Sequence, residues 1–388
     1  MRPYAIVVLS ALLMSCAMGP DYERPPGDTD DRFRMAEGGS DAPSMANLPW
    51  WELLKDQQLQ HLVRTALAEN KDLQKAAATV EEFQARAWVA KSDFLPNMTA
   101  SGNAPSFGRK TVFLVPGFPN PFNYYLQGNL SWEVDVWGRI RRANEAARAD
   151  LFAKEESRRA VVLELVSAVA EAYFNLLQFD TQLAIAKRTL QSWEESVRIA
   201  QARLRQGMTS KLDADQFEAE RANAAARTAE LERQMIQAEN QLSVLLGRKP
   251  FEIPRGKSLV EQALPPTIPP GLPSELLQRR PDILQADRTL NAATARIGAA
   301  KAGRFPKISL TGLIGAADPH TGSIFSDVSS FGAAGAGFTL PLFNAQALGF
   351  QQDAVEAQAK QTLADYQQTV LTAFREVEDA LVAARTAR

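Results

Sequence analysis

From Val162 the apolar residues step by three and four in strict alternation: Val162, Leu165, Val169, Ala172, Leu176, Phe179, Leu183, Ala186, Leu190, Trp193, Val197, Ala200 and Leu204. That is the a/d seam of a coiled coil, sustained far beyond an ordinary globular helix. After Gly207 a second seam runs through Phe217, Ala224, Leu231, Met235, Ala238, Leu242 and Leu245, with polar lapses at Arg221 and Thr228. No proline lies between Pro121 and Pro250, and Gly207 is the only glycine from Arg139 to Leu246. The pattern predicts an antiparallel helical hairpin with arms at about 142–206 and 211–246. At 1.5 Å per residue the first arm spans roughly 100 Å, more than a compact domain needs.

The segments flanking the coil follow the other period. Over 125–137, Leu126, Gly128, Leu130, Trp132, Val134 and Val136 alternate with Gln127, Asn129, Ser131, Glu133 and Asp135. Over 97–108, Asn97, Thr99, Ser101 and Asn103 alternate with Met98, Ala100, Gly102 and Ala104. Both read as strands with one apolar and one polar face, joined through a Pro/aromatic loop at 115–122. Their length and alternation suit a transmembrane barrel wall, and a soluble sandwich strand has the same pattern.

A shift of 210 residues superposes Asp72–Gly102 on Asp282–Gly312, with identities that include Asp72/Asp282, Ala85/Ala295, Arg86/Arg296, Lys91/Lys301 and Pro96/Pro306. Strands are expected again at about 307–316, where Thr311 joins the polar face, and at about 334–342, with a new helix from Ala345. A shift of 208 then brings Val169, Glu171 and Ala172 onto Val377, Asp379 and Ala380. The unit of helix, two strands and long helical hairpin is therefore used twice. The divisions expected are 1–15, 16–71, a first repeat over 72–249, a Pro-rich connector over 250–273, and a second repeat over 274–388. That second repeat has no counterpart of Thr181–Leu246, 66 residues, so a C-terminally truncated reading frame or fragment is expected.

Composition narrows the function classes. The 43 Lys+Arg against 45 Asp+Glu leave no basic face for nucleic acid. A single cysteine excludes an intrachain disulfide, and His61 and His320 are too isolated to suggest a metal site. No cofactor is expected. There is no Walker-type phosphate loop and no Gly-x-Ser-x-Gly elbow, so no enzyme activity is expected either. After residue 15 no run of 18 apolar residues remains, which argues against a helical membrane bundle and leaves a β-barrel open. Residues 1–15 read as a signal peptide, and Leu13-Met14-Ser15-Cys16 is a lipobox with Cys16 as the acylated residue.

Several motifs together resemble the TolC-type outer membrane factors, in their OprM/NodT-like lipoprotein branch. They are Gly19-Pro20-Asp21-Tyr22-Glu23-Arg24-Pro25, Trp50-Trp51, Trp132-Glu133-Val134-Asp135-Val136-Trp137-Gly138-Arg139, and Leu272-Pro273-Ser274-Glu275-Leu276-Leu277-Gln278-Arg279-Arg280-Pro281-Asp282-Ile283. The resemblance implies an α+β membrane fold, with four strands per subunit joining in a homotrimer to make one twelve-stranded transmembrane β-barrel. A long α-helical coiled-coil tunnel continues it through the periplasm. It implies an outer membrane lipoprotein of a Gram-negative bacterium, in contact with outer membrane lipid. Its expected role is to conduct drugs or other small solutes passively from an inner-membrane RND-type pump and its periplasmic adaptor protein.

On this reading Asn97, Thr99, Ser101, Gln127, Asn129, Ser131, Glu133, Asp135 and Thr311 face the lumen. Gly207, Met208, Thr209, Ser210 and Asp213 form the periplasmic tip that receives the adaptor. Simple helix breaking at Gly207 and capping by Ser210 is the plainer reading of the same turn. The rival for the whole chain is a lipid-anchored periplasmic coiled-coil scaffold without a pore.

Overall fold

The computed structural model describes residues 17–26, 33, 55–103, 124–262, 273–318, 329–343 and 345–387. Cys16, Trp50-Trp51 and the 115–122 loop lie outside the described residues. In order the chain forms α1 (Gln57–Glu69), α2 (Lys71–Ser92), β1 (Asn97–Asn103), β2 (Tyr124–Val134), α3 (Arg139–Arg205) and α4 (Lys211–Leu245). A 3-10 turn at Leu259–Glu261 precedes α5 (Pro273–Arg279), α6 (Pro281–Ala302), β3 (Lys307–Asp318), β4 (Ser329–Thr339) and α7 (Ala345–Thr386). The described residues group into two compact units. A strand unit takes in residues 17–26, 80–103, 124–155, 282–318, 329–343 and 345–374, and a helical unit residues 33, 55–79, 156–262, 273–281 and 375–387.

In the strand unit β1-β2-β3-β4 form one antiparallel sheet in sequence order. The repeat is visible in the geometry: α2 and α6 are both 22 residues long and begin 210 residues apart, as do β1 and β3. β2 stops at Val134, three residues short of the alternating pattern, because Asp135 turns to serve the N-terminus of α3. β4 starts at Ser329 rather than near 334. Its Gly/Ala-rich first half carries no alternation to read, and only its ladder to β3 defines it.

The helical unit is held by the coiled-coil seam. Every a/d position from Val162 to Leu204 is buried or half-buried. Between Leu165 and Leu177 the buried stripe widens to take in Val166, Ala170, Tyr173 and Leu177, because other segments pack there as well. Leu59, Leu62, Val63 and Ala66 of α1, Leu242 at the end of α4, and Leu246 and Ile253 after it complete this core. By length and composition alone α3 contains a window apolar enough to cross a membrane. In its middle Leu165, Val166, Val169, Leu176 and Leu177 are instead buried against protein, while Leu163 stays half-exposed. Thr228, a lapse in the second seam, is buried and donates its hydroxyl to the Ala224 carbonyl at 2.8 Å, which removes the cost of placing a polar group there.

Candidate functional site

Residues paired across an antiparallel ladder share a face, so the register sorts the sheet. Asn97, Ser131 and Thr311 lie in one row; Thr99 pairs with Asn129, Ser101 with Gln127, and Glu133 with Ser309. All belong to one face. Asn129 Nδ2 donates to Ser101 Oγ at 3.2 Å and Gln127 Nε2 to Asn129 Oδ1 at 3.2 Å, so this face carries its own polar network. The opposite face holds Met98, Leu130 and Gly312 in one row, followed by Leu126, Ile314 and Phe338. There Met98 is 76% exposed, Ile314 73% and Phe338 76%, an apolar surface that no described part of the chain covers. Sequence reasoning missed Leu313 and Phe331, which the register places on the polar face.

Two acidic residues behave differently from their strand neighbours. Glu133 accepts two hydrogen bonds at 2.8 Å from the Arg139 guanidinium, so its charge is neutralised at the sheet's end. Asp135, expected on the lumen face, lies beyond β2. Its carboxylate accepts from the Ile140 and Arg141 amides at 3.0 and 2.9 Å, where the partial positive charge of a helix start favours an anion. The Trp-Glu-Val-Asp-Val-Trp-Gly-Arg motif is thus the joint between strand and helix. Trp132 Nε1 donates to Phe94 O at 3.0 Å, Trp137 Nε1 donates to Pro306 O at 2.8 Å, and Trp137 stacks on Phe305 at 4.9 Å.

The segment from Ala17 is strapped onto this joint. Met18 N donates to Trp137 O at 3.0 Å, and Arg142 donates to Met18 O at 3.1 Å, Asp21 at 2.6 Å and Glu145 at 2.8 Å. Tyr22 and Arg24 both donate to Asp287, at 2.5 and 2.8 Å. Burial, then the Asp287 carboxylate, pushes the Tyr22 hydroxyl well above the usual tyrosine range. The strap therefore fixes the residue that follows Cys16 beside the end of β2.

At the helical turn Gly207 takes φ +69°, a left-handed conformation that costs other residues strain, and Met208 N closes the helix end on Arg203 O at 2.9 Å. Ser210 caps α4: its hydroxyl accepts from Asp213 N at 3.1 Å, while the Asp213 carboxylate accepts from Ser210 N at 3.2 Å and Thr209 Oγ1 at 2.9 Å. The Ser210 and Thr209 hydroxyls hold the Asp213 carboxyl below the usual carboxylate range. The side chains that project are Met208, 68% exposed, and Leu212, 66% exposed.

The helical unit also contains a polar node that sequence reasoning missed. Asp56, 1% exposed, caps α1 through the Gln58 and Leu59 amides at 2.8 and 3.1 Å. The same carboxylate accepts from Gln262 Nε2 at 2.6 Å and from Tyr173 OH at 3.2 Å, and Tyr173 OH accepts from Gly256 N at 3.0 Å. Burial disfavours the Asp56 anion, but the bonds from Gln262, the two amides and Tyr173 outweigh it and hold its pKa below the ordinary value. Burial pushes the Tyr173 hydroxyl up to about 12. Beside this node Arg255 donates to Asp180 at 2.9 and 3.2 Å and pairs with Glu239. Among the described residues no cluster of three or more His, Cys, Asp or Glu side chains is placed to hold a metal ion.

Known proteins share this architecture. The sequence profile of the family described as outer membrane efflux protein matches residues 62–248 and 272–388. The cation efflux system protein CusC of Escherichia coli (strain K12) is 33% identical over 377 residues, covering 95% of this chain and 80% of CusC. The toluene efflux pump outer membrane protein TtgC of Pseudomonas putida is 31% identical over 392 residues, covering 98% of this chain and 80% of TtgC. The solved open state of the MtrE outer membrane channel of Neisseria gonorrhoeae superposes with a TM-score of 0.82 at 30% identity, covering 96% of this chain and 82% of MtrE.

Proposed function

The chain belongs to the outer membrane efflux protein family, and from that premise we propose how its parts divide the work of an efflux duct. It is an outer membrane channel component of a tripartite efflux system, with a β-barrel continued by a long helical tunnel. Three copies join their four strands into one barrel. The polar row from Asn97 to Thr311 lines the water-filled lumen, and the Met98–Leu130–Phe338 face meets lipid. The exposed apolar face carries this reading. A coiled-coil scaffold held by lipid alone has no use for a sheet whose outer side chains are uncovered and apolar.

Cys16 carries the acyl chains, and the strap through Arg142 and Asp287 holds them near the barrel rim. At the tip, Gly207, Thr209, Ser210 and Asp213 shape the turn, while Met208 and Leu212 present the apolar contact for a periplasmic adaptor. An inner-membrane RND-type pump supplies the energy, and the duct itself conducts without catalysing a reaction. One relative is named for cations and another for toluene. We therefore assign the choice of solute to the pump and the conduction of drugs or other small solutes to this chain.

Reconstitution in a planar bilayer tests the reading. A duct gives stepwise conductance that rises in proportion to salt and needs no nucleotide. A scaffold leaves the bilayer insulating, and that result would remove the proposal.

A further inference from the structure

The polar face of the sheet is not polar throughout. Leu313 of β3 and Phe331 of β4 lie on it: one row holds Asn129, Leu313 and Ala333, and the next holds Gln127, Gly315 and Phe331. The other β3 and β4 positions of this face are small or polar, Ser309, Thr311 and Gly335 among them. Leu313 and Phe331 are each 37% exposed, so both leave apolar surface open on the side that the amides and hydroxyls occupy. Contact with water makes that surface unfavourable, and serine or threonine fills neighbouring positions without the penalty.

Gly315 fixes the pose of the ring. A Cβ there would stand 2.6 Å from Phe331 Cζ, 2.9 Å from Gln127 Cβ and 2.9 Å from the Leu126 carbonyl oxygen, so any side chain at this position would displace the phenyl. The phenyl therefore leans across β3 towards β2, away from the outer edge of β4, and ends beside Gln127. An aromatic ring laid over a strand glycine stabilises a sheet, which accounts for its position. It does not account for Leu313, which pairs with Asn129 and Ala333 rather than with glycine. Amides border the two apolar groups. Gln127 Nε2 donates to Asn129 Oδ1 and Asn129 Nδ2 to Ser101 Oγ, each at 3.2 Å. These bonds use one donor from each amide and leave Gln127 Oε1 without a partner among the described residues.

A phenyl and an isobutyl group side by side, with an amide acceptor at their margin, match a flat aromatic molecule that carries a hydrogen-bond donor. Its ring packs on Phe331 in an offset or edge-to-face pose, and its donor reaches the amide. Resting on the lumen reading above, we propose that Leu313 and Phe331, with Gln127 at their margin, form a resting site inside the pore for neutral aromatic solutes of this kind. A phenol pauses there, and an aliphatic alcohol of the same size passes without pausing.

The full chain in membranes is irradiated with para-hydroxybenzophenone, and the labelled residues are located by mass spectrometry. The expected result is label at Gln127, Leu313 or Phe331 that an excess of phenol removes. Cyclohexanol, which lacks the ring, and anisole, which lacks the donor, should leave that label in place. Phe331→Leu keeps an apolar side chain over Gly315 without a ring, and it should reduce the label at Leu313 about two- to tenfold. Undiminished label in that variant shows that the phenyl only covers Gly315, and overturns the site. Conductance of the unaltered protein in a planar bilayer separates the two layers of the argument: an insulating bilayer removes the pore and the site together. A conducting pore whose label lies only on Met98, Ile314 or Phe338, or is not removed by phenol, overturns the site and leaves the pore standing. Should Phe331→Leu fail to assemble, the competition on the unaltered protein decides, and equal protection by phenol and either control overturns the proposal.

Discussion

The sheet and the helical core place their apolar side chains in opposite senses. In the sheet Met98, Ile314 and Phe338 are about three-quarters exposed while polar residues gather on the other face. In the helical unit Tyr173, Leu176 and Val169 have no exposed surface, and the buried Asp56 carboxylate is tied down by hydrogen bonds. Under the proposed function one chain is following two solvents. The helical unit folds against water, and burial of its apolar stripe is its main driving force. On the proposed reading the sheet satisfies its backbone through ladders and turns its apolar face to lipid, where nothing needs to cover it.

The comparison predicts where substitutions hurt. The largest effect is expected in the helical core: Leu176→Ala should cost about 2–5 kcal/mol through the lost side chain and the cavity left behind. Thermal melting of the helical signal checks it, and Ile314→Ala on the sheet's apolar face should leave that melting unchanged. Charge placement comes next. Leu130→Arg should cost about 2–4 kcal/mol near the membrane midplane and reduce assembly into the outer membrane fraction, whereas Asn129→Arg should assemble normally. Asn129→Arg blocked and Leu130→Arg tolerated would reverse the two faces.

The Asp56 node supplies a smaller, pH-dependent term. Its pKa is lower folded than unfolded, so its contribution is complete above the ordinary aspartate value of about 3.9. That contribution is lost as pH falls through the folded value. Asp56→Ala should cost about 1–3 kcal/mol at neutral pH, because Tyr173 and Gln262 lose their acceptor, and it should flatten the acid limb of the melting curve. The smallest effect belongs to the tip: Ser210→Ala should cost about 1 kcal/mol, read as faster hydrogen exchange at the Asp213 amide.

How much of this could be read in the sequence depended on the range of the interaction. The α3 seam was legible because its period is local and thirteen positions from Val162 to Leu204 repeat it without a break. The strand faces were legible for the same reason, and the shift of 210 residues placed the second sheet half. β4 escaped a correct start because glycine and alanine carry no alternation. Asp135 had the spacing of a strand residue, and only the turn into α3 showed that a helix N-terminus needed its carboxylate. The Asp56 node joins residues 117 and 206 positions apart, a contact no local pattern encodes. The strap looked like a motif without a purpose until Arg142 and Asp287 supplied its partners.

The central claim is that one face of the sheet meets water inside a pore and the other meets lipid. Single cysteines at two adjacent positions of β2 test it most directly, as Asn129→Cys and Leu130→Cys, treated with a charged, membrane-impermeant thiol reagent while current is recorded across a reconstituted bilayer. The account predicts that the reagent lowers conductance in the Asn129→Cys channel and leaves the Leu130→Cys channel unmodified. A block at position 130 with none at 129, or equal modification of both, would contradict it.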